Sequence, residues 1–410
     1  MELIGTSAAL FVAGVVLALA LPLPSVAKRT LLLAANAAFL WFFDPLAPLL
    51  FLATALAAYG VARLAARGVH GVALGALCVP LLVPLFLPKL SFFTDAGVVA
   101  SGAASTGNMV GVRVAYFIGA SYYTLRALHF VLDAGRKRAL HLPLFDYLVW
   151  NSFFPTVMAG PIERADHFRL SYASLGRPTR EDLAAGTAKI FTGLLKKVVI
   201  GGLLAQWALP ITTFGALRPG GGMAGAHMAW HEAWVALYAV ALYAWMDFAG
   251  YSDLALGVSR FMGLRLAENF DNPYLRPSIA DFWKGWHLSL SFWIRDYLFL
   301  PMCGRSASKV RPHLAALGSM VLCGLWHGPN LGWGLWGLAH GAGLSIHHAW
   351  TLKLRSHFKL KKKLAQSLAW RVFGMALTFH FVALTWTLVS IDATRMGLTV
   401  AYLRLLFGLA

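Results

Sequence analysis

The 410-residue sequence predicts an all-α protein that crosses a membrane many times. Composition is the first reason, because 59% of the residues are hydrophobic and only 13% are charged, whereas soluble domains carry about 25% charged residues. The second reason is that apolar runs of roughly 20 residues, the length that crosses a hydrocarbon core, recur along the chain. The 15 Trp and 12 Tyr residues also suit the aromatic belts at membrane interfaces.

Ten or eleven membrane spans are expected, in the order of the apolar runs. The run at 30–43 is short and is expected to be tilted or only partly spanning. No basic segment or clear cleavage site accompanies the first run, which favours a retained span over a signal peptide. The runs lie at 6–26, 30–43, 46–66, 70–88, 111–131, 184–208, 227–260, 314–330, 331–350, 370–390 and 395–409.

The formal net charge of +18 would suggest nucleic-acid binding in a soluble protein. Here Lys and Arg collect in short loops between apolar runs, so we predict that they set membrane orientation and that nucleic acid is not a partner. The basic loops belong inside and the loop at 91–109 outside, which makes the N-terminus extracytoplasmic. The basic loops are Lys28-Arg29, Arg63 with Arg67, Arg136-Lys137-Arg138 and the run from Lys359 to Lys363.

Two segments differ from simple spans. Residues 144–170 are apolar but interrupted by Pro155, Gly160 and Pro161, and residues 264–303 mix apolar, aromatic and charged side chains. Irregular backbone is tolerated at membrane depth only where it is buried in protein or lines a wet cavity. We therefore expect re-entrant or amphipathic pieces around a site. The three cysteines lack metal-ligand spacing, and no metal site is predicted.

His327 is the first candidate for chemistry. It lies in an apolar run, in Gly324-Leu325-Trp326-His327-Gly328, where an ionisable side chain is a functional candidate by default. Imidazole can take a proton from a hydroxyl, and Gly324, Gly328 and Pro329 would break the backbone and leave room for a ligand. The alternative is a packing histidine that bonds to a neighbouring helix.

His287 is the second candidate, in Trp283-Lys284-Gly285-Trp286-His287. Spacing predicts that Trp283, His287 and Ser291 share one helical face. The alternative is that His287 is an interfacial residue beside a tryptophan belt.

Other polar residues have simpler interpretations. His340 is interpreted as structural, and Arg295-Asp296 as a local ion pair. Earlier in the chain, Asn269, Asp271 and Asn272 indicate a turn. Before them, Asp247, Tyr251 and Asp253 are expected to cap a kinked helix or line a polar funnel. No nucleotide-hydrolysis or serine-hydrolase motif is present.

Taken together, these segments resemble the membrane-bound O-acyltransferase (MBOAT) family, in the bacterial branch that includes alginate O-acetylation and D-alanyl transfer. The resemblance extends from about residue 121 to 341. Its motifs are Phe153-Phe154-Pro155, Ala159-Gly160-Pro161-Ile162-Glu163-Arg164, Asp247-Phe248-Ala249-Gly250-Tyr251-Ser252-Asp253, Glu268-Asn269-Phe270-Asp271-Asn272-Pro273-Tyr274, Phe282-Trp283, Trp286-His287-Leu288-Ser289-Leu290-Ser291, Trp293 to Tyr297, and Gly324 to Gly328.

The resemblance implies one membrane domain over 1–410, with N-terminal spans (1–110), a catalytic core (121–341) and C-terminal spans (342–410), as a ring of about 11 helices around a central funnel. It implies a bacterial cytoplasmic (inner) membrane protein surrounded by lipid. A cytoplasmic acyl thioester, acetyl-CoA or an acyl-carrier protein, would donate to an extracytoplasmic hydroxyl on a polysaccharide or a relay partner. No cofactor would be tightly bound.

His327 then corresponds to the family histidine and acts as general base, and His287 orients the thioester or polarises its carbonyl. We predict substrate contacts from Trp283, Trp286, Ser291, Trp326, Asn269 and Asp253.

Two branches of the family stay open. Trp336-Gly337 with His340-Gly341 resemble the acetylation members, whereas Phe153 to Thr156 resemble the D-alanyl members. The Gly-Gly-Asn-Arg stretch of the acetylation branch is replaced here by Cys303-Gly304-Arg305. The sequence therefore leaves the identity of the acyl donor open as well. D-alanyl transfer toward teichoic acid is one alternative. A transporter or flippase with a histidine-lined pathway is another, although transporters often show internal repeats and none is visible here.

Overall fold

The computed structural model describes residues 5–43, 45–71, 73–82, 119–136, 142–212, 214, 228–304, 308–355, 357, 362, 364, 366–391 and 396–409. All regular secondary structure in these residues is helical, which confirms the predicted all-α class. The predicted loop at 91–109, Lys137, Arg138 and most of the basic run at 359–363 lie outside them.

Helices occur in each predicted apolar run. They are α1 (Thr6–Ala20), α2 (Ser25–Phe43), α3 (Ala47–Ala66), α4 (Ala73–Leu82), α5 (Ala120–Gly135), α6 (Leu144–Asn151), α7 (Phe154–Val157), α8 (Ala165–Tyr172), α9 (Arg180–Leu194), α10 (Gly201–Thr212), α11 (Trp230–Phe261), α12 (Ile279–Trp283), α13 (Leu288–Ile294), α14 (Leu300–Cys303), α15 (Arg311–His327), α16 (Leu331–Arg355), α17 (Leu368–Ser390) and α18 (Met396–Leu406). A π-helical turn, Leu195–Ile200, joins α9 to α10, and another, Arg295–Phe299, joins α13 to α14.

Four of the described helices, α2, α3, α11 and α17, are long and apolar enough to cross a membrane. Their exposed large hydrophobic side chains are Leu, Val, Phe and Trp, which lipid solvates and water does not. The count of about 11 spans and the central funnel remain predictions.

Contacts divide the chain into two compact units. Unit one comprises Met1–Phe191 and Ser252–Ala267, and unit two comprises Thr192–Tyr251 and Glu268–Ala410. The last ten residues of α11 therefore belong to unit one and the rest of α11 to unit two. The predicted division into 1–110, 121–341 and 342–410 stays a prediction.

In unit one, buried polar side chains hold the broken segment at 142–178. Arg126, fully buried in α5, donates to the carbonyl oxygens of Trp150, Asn151, Thr156 and Pro161 and to the Thr156 hydroxyl. These carbonyls lie where the short helices α6 and α7 end, and helix ends leave carbonyl groups unpaired. The guanidinium thus supplies the hydrogen bonds that the interrupted backbone lacks.

A second buried residue of unit one is Asn36 in α2. Its amide nitrogen donates to the Val149 carbonyl at 3.1 Å and to the Ser152 hydroxyl at 3.0 Å, and its oxygen accepts from the Phe154 backbone N–H at 3.0 Å. Nearby in sequence, Lys28 is buried and donates to the Gly176 carbonyl at 3.1 Å. Lys28, predicted only to set orientation, therefore also ties α2 to the loop after α8.

Unit two contains a tight pair of helices, α15 and α16. A Cβ atom at Gly324 would lie 2.1 Å from the Trp333 carbonyl oxygen, and one at Gly328 would lie 2.3 Å from the Trp333 ring. The prediction that these glycines leave room for a ligand is therefore wrong, because Trp333 fills the space. The predicted backbone break is present: α15 ends at His327 and α16 begins at Leu331.

Ion pairs along α11 correct a further prediction. The helix runs unbroken to Phe261, so Asp247, Tyr251 and Asp253 cap no helix end. Asp247 pairs with Lys197 in unit two, and Asp253 pairs with Lys189 at 2.8 Å in unit one. Pairing offsets the cost of burying a carboxylate. The predicted ion pair between Arg295 and Asp296 is present at 2.8 Å.

Candidate active site

His327 is the last residue of α15 and is half-buried among indole rings. Its ring stacks on Trp333, with centroids 4.8 Å apart and an interplanar angle of 21°. Trp326 lies at 4.5 Å and Trp336 at 5.9 Å, both edge-on. The rings fix the imidazole by packing, and they exclude water from one of its faces.

The aromatic contacts continue to His340. Its ring lies 4.5 Å from Trp336 and 5.4 Å from Trp283, and Trp283 lies 5.9 Å from Trp336. We call the set Trp283, Trp326, His327, Trp333, Trp336 and His340 the indole–histidine cluster. The Nε1 atoms of Trp283 and Trp336 are buried without a hydrogen-bond partner in the part of unit two that the structure describes. Such an atom costs about 1–3 kcal/mol, so this cluster is not built for maximal stability.

His340 itself has a structural anchor. The Thr385 hydroxyl donates to the Val382 carbonyl at 2.7 Å, so its oxygen accepts from Nε2 of His340 at 3.0 Å. The interpretation of His340 as structural agrees with this bond.

His287 is almost completely buried, at 1% exposure, and lies just before α13. Its Nδ1 lies 3.2 Å from Oδ1 of Asn269, and Phe248 contacts its ring edge-on at 4.7 Å. Trp336 contacts both His327 and Trp283, with ring centroids 5.9 Å apart in each case, and Trp283 lies four residues before His287. The two histidines, 40 residues apart in the sequence, thus lie in one aromatic region of unit two.

One predicted feature of this segment is wrong. Trp283, His287 and Ser291 do not share a helical face, because α12 ends at Trp283 and His287 has left-handed backbone, with φ of 44°. Gly285 lies in this break and allows a close backbone contact: a Cβ atom there would lie 2.5 Å from the Asp271 carbonyl oxygen, and the Gly285 carbonyl accepts from the Asp271 N–H at 2.9 Å.

Five of the predicted substrate-contacting residues lie in unit two with the histidines. Trp283 and Trp326 belong to the indole–histidine cluster. Trp286 packs on Phe282 at 5.6 Å and on Phe270 at 5.4 Å, and its carbonyl accepts from the Ser291 hydroxyl at 2.9 Å. Asn269 contacts His287. Asp253 belongs to unit one, where it pairs with Lys189 at 2.8 Å, and its predicted contact with substrate stays a prediction.

Sequence reasoning missed three members of the site region. Trp333 and Trp336 contact His327, and Ser289 contacts both Asn269 and His287. A signal for the first two was available, because Trp333, Trp336 and His340 are spaced i, i+3 and i+7 and so share one face of α16. Ser289 lies in one of the quoted family motifs, but its contact with Asn269, 20 positions away, could not be read from spacing.

Comparison with known proteins supplies the family. The model of the membrane-bound O-acyltransferase family matches residues 103–391. This chain belongs to that family. The match covers the whole stretch that holds both histidines and the indole–histidine cluster, and it confirms the resemblance that the sequence motifs show.

The names of the curated relatives fall into two classes, O-acetylation and D-alanyl transfer. The chain is 35% identical over 234 residues to a probable alginate O-acetylase of Pseudomonas aeruginosa, covering 57% of this chain and 42% of the relative. It is 31% identical over 290 residues to a teichoic acid D-alanyltransferase of Streptococcus thermophilus, covering 67% and 68%. A peptidoglycan O-acetyltransferase of Helicobacter pylori is 31% identical over 244 residues, covering 59% and 43%. The matches thus span less than half the length of the two acetylation relatives.

Proposed function

We propose that this chain is a membrane O-acyltransferase that moves an acyl group from a cytoplasmic thioester to an extracytoplasmic hydroxyl. Acetyl is the first candidate for the acyl group. The observation that carries the proposal is that Trp336 contacts both His327 and Trp283, the residue four positions before His287, inside the matched family region. A half-buried imidazole packed among indole rings fits proton transfer from a hydroxyl. Family membership favours acyl transfer over the transporter hypothesis.

In the proposed reaction a C–O bond forms and a C–S bond breaks. The acceptor oxygen attacks the thioester carbonyl carbon while His327 takes the hydroxyl proton. The C–S bond then breaks, and the proton passes to the thiolate sulfur, which yields an ester and a free thiol. General-base catalysis contributes about 10²–10⁴-fold to such a rate, and holding both substrates in place contributes more.

Acetyl-CoA or an acyl-carrier protein is proposed as donor, and a cell-envelope polysaccharide or a relay partner protein as acceptor. The acetylation relatives support acetyl transfer. A D-alanyl group from a carrier protein is the second candidate, because the D-alanyltransferase relative matches over a larger share of both chains, 67% and 68%. The proposed location is the bacterial cytoplasmic membrane, with an extracytoplasmic N-terminus and bound lipid around α2, α3, α11 and α17.

A paired transfer assay tests this proposal. Membranes that contain the chain are given labelled acetyl-CoA in one arm and carrier protein charged with labelled D-alanine in the other, with polysaccharide acceptors present. We expect ester-linked label, released by mild base, in one arm. Membranes with His327→Ala serve as the matched blank. Equal label in that blank, or no ester with either donor, contradicts the proposal.

A further inference from the structure

Asn269 makes four hydrogen bonds to the segment that carries His287. Its backbone carbonyl accepts from the Leu288 N–H at 2.9 Å. Its side-chain oxygen Oδ1 lies 3.3 Å from the Ser289 N–H, 2.9 Å from the Ser289 hydroxyl and 3.2 Å from Nδ1 of His287. Asn269 is completely buried. It therefore satisfies the first N–H groups of α13, which a helix start leaves unpaired.

The backbone N–H of Ser289 fixes which amide atom faces the histidine. A backbone N–H only donates, so the Asn269 atom that faces it is the oxygen and not the NH₂ group. This removes the ambiguity of amide orientation that side-chain contacts alone leave open. The Ser289 hydroxyl then uses its one proton on the same oxygen, at 2.9 Å.

Two oxygen atoms of the described residues lie beside Nδ1, and both are acceptors. The Asn269 oxygen carries no proton, and the Ser289 oxygen, 3.5 Å from Nδ1, turns a lone pair toward it. Nδ1 of His287 must therefore carry the hydrogen, and in the neutral ring Nε2 carries the lone pair. The left-handed backbone at His287, with φ of 44°, is held in place by the same contacts.

We infer that Asn269 is a positioning residue that locks His287 in the Nδ1–H tautomer, so that Nε2 acts toward substrate as an acceptor. The inference rests on the proposed function and refines it. A neutral His287 so held cannot polarise the thioester carbonyl, since that requires a donor. It can orient the donor by accepting from an amide N–H of the pantetheine arm, which coenzyme A and carrier proteins share. Asn269 itself then contacts no substrate.

Two variants of Asn269 separate positioning from simple packing. Asn269→Leu removes the acceptor, and we expect kcat/KM to fall about 10–100-fold, the range for a buried group that loses its partner. Asn269→Asp keeps an acceptor opposite Nδ1 and adds a negative charge that favours the protonated ring. We expect this variant to retain most activity at its optimum, with the acid limb of its pH profile moved to higher pH.

Asn36 supplies a matched control, because it is also a buried, hydrogen-bonded asparagine. Asn36→Asp should lower thermal stability without moving the pH profile of the folded protein. Equal losses in Asn269→Leu and Asn269→Asp with an unmoved profile would overturn the inference, and so would wild-type kinetics in both.

A readout independent of activity is the ¹⁵N spectrum of histidine-labelled protein in detergent, assigned with His287→Gln. Shifts of a neutral Nδ1–H ring for His287, lost in Asn269→Leu, support the inference. An Nε2–H ring in the wild type overturns it. If the proposed function fails, transfer is absent in the wild type while this spectrum still reports the tautomer.

Discussion

Polar side chains are buried in both compact units, but the two regions hold them differently. In unit one, the Asp182 cluster (Thr179, Asp182, Arg260, Arg265) pairs a carboxylate with two guanidinium groups, at 2.9 Å to Arg260 and 2.8 Å to Arg265. In unit two, the indole–histidine cluster surrounds its histidines with rings, and the indole N–H groups of Trp283 and Trp336 have no hydrogen-bond partner among the described residues. The first arrangement offsets the burial of a charge, whereas the second is the environment in which we propose a reactive group.

The Asp182 cluster is tied to its backbone as well. Oδ2 of Asp182 accepts from the Thr179 N–H at 3.1 Å and from the Thr179 hydroxyl at 2.8 Å. Burial alone raises the pKa of Asp182, but hydrogen bonds from Arg265, Thr179 and Arg260 outweigh it and hold that pKa well below its usual range. Every acceptor position on this carboxylate has a donor, so little chemistry is left for it.

The largest expected effect tests whether the indole–histidine cluster holds the general base. His327→Ala should lower kcat about 10²–10⁴-fold, because the general base is lost. Its melting temperature should change little, since the imidazole is only half-buried. Transfer assays and thermal unfolding in detergent measure the two quantities.

Exposed His231, also in unit two, provides the control, and His231→Ala should leave both quantities unchanged. Substantial turnover by folded His327→Ala protein would remove the general-base role.

The next effect tests whether the Asp182 cluster contributes to stability and not to catalysis. Asp182→Asn should cost about 1.5–3 kcal/mol of stability at neutral pH, the range for hydrogen bonds to a charged group, because the carboxylate is buried while Arg260 and Arg265 are partly exposed. Its kcat should stay within about twofold of wild type, because a change of stability alone does not alter the chemistry of the folded enzyme. Thermal unfolding and initial rates on the same preparation test both statements.

The pH dependence of that variant has a defined sign. A carboxyl pKa that is lower in the folded state contributes stability above its unfolded value and loses it as pH falls through the folded value. The stability gap between wild type and Asp182→Asn should therefore be full near pH 7 and shrink as the solution is acidified below about pH 4. A gap that stays constant with pH would mean that packing, not charge, holds this cluster.

The smallest effect concerns Ser289. Ser289→Ala removes one of the donors to the Asn269 oxygen and keeps the backbone N–H bond, so kcat/KM should fall only about 3–10-fold. The double variant with Asn269→Leu should lose little more than Asn269→Leu alone, because the two side chains act through one histidine. Additive losses would place Ser289 in a separate role.

The sequence by itself determined the class of fold and identified the candidate histidines. Apolar runs of spanning length predict helices, and each predicted run contains one, because a chain in lipid satisfies its backbone within the helix. His287 and His327 stand out for a similar reason, since ionisable side chains are costly among apolar residues. The family match supports the motifs that contain them.

Only the tertiary structure decided how those groups are held. Helical spacing placed His287 on a face with Trp283 and Ser291, but the helix ends at Trp283 and the Asp271 carbonyl packs against Gly285 in the break. The sequence did not predict that Asp253 pairs with Lys189, or that the side-chain oxygen of Asn269 contacts His287. Each of these contacts joins residues 14–64 positions apart. Local periodicity carries no information about such pairs, because they depend on how the helices pack.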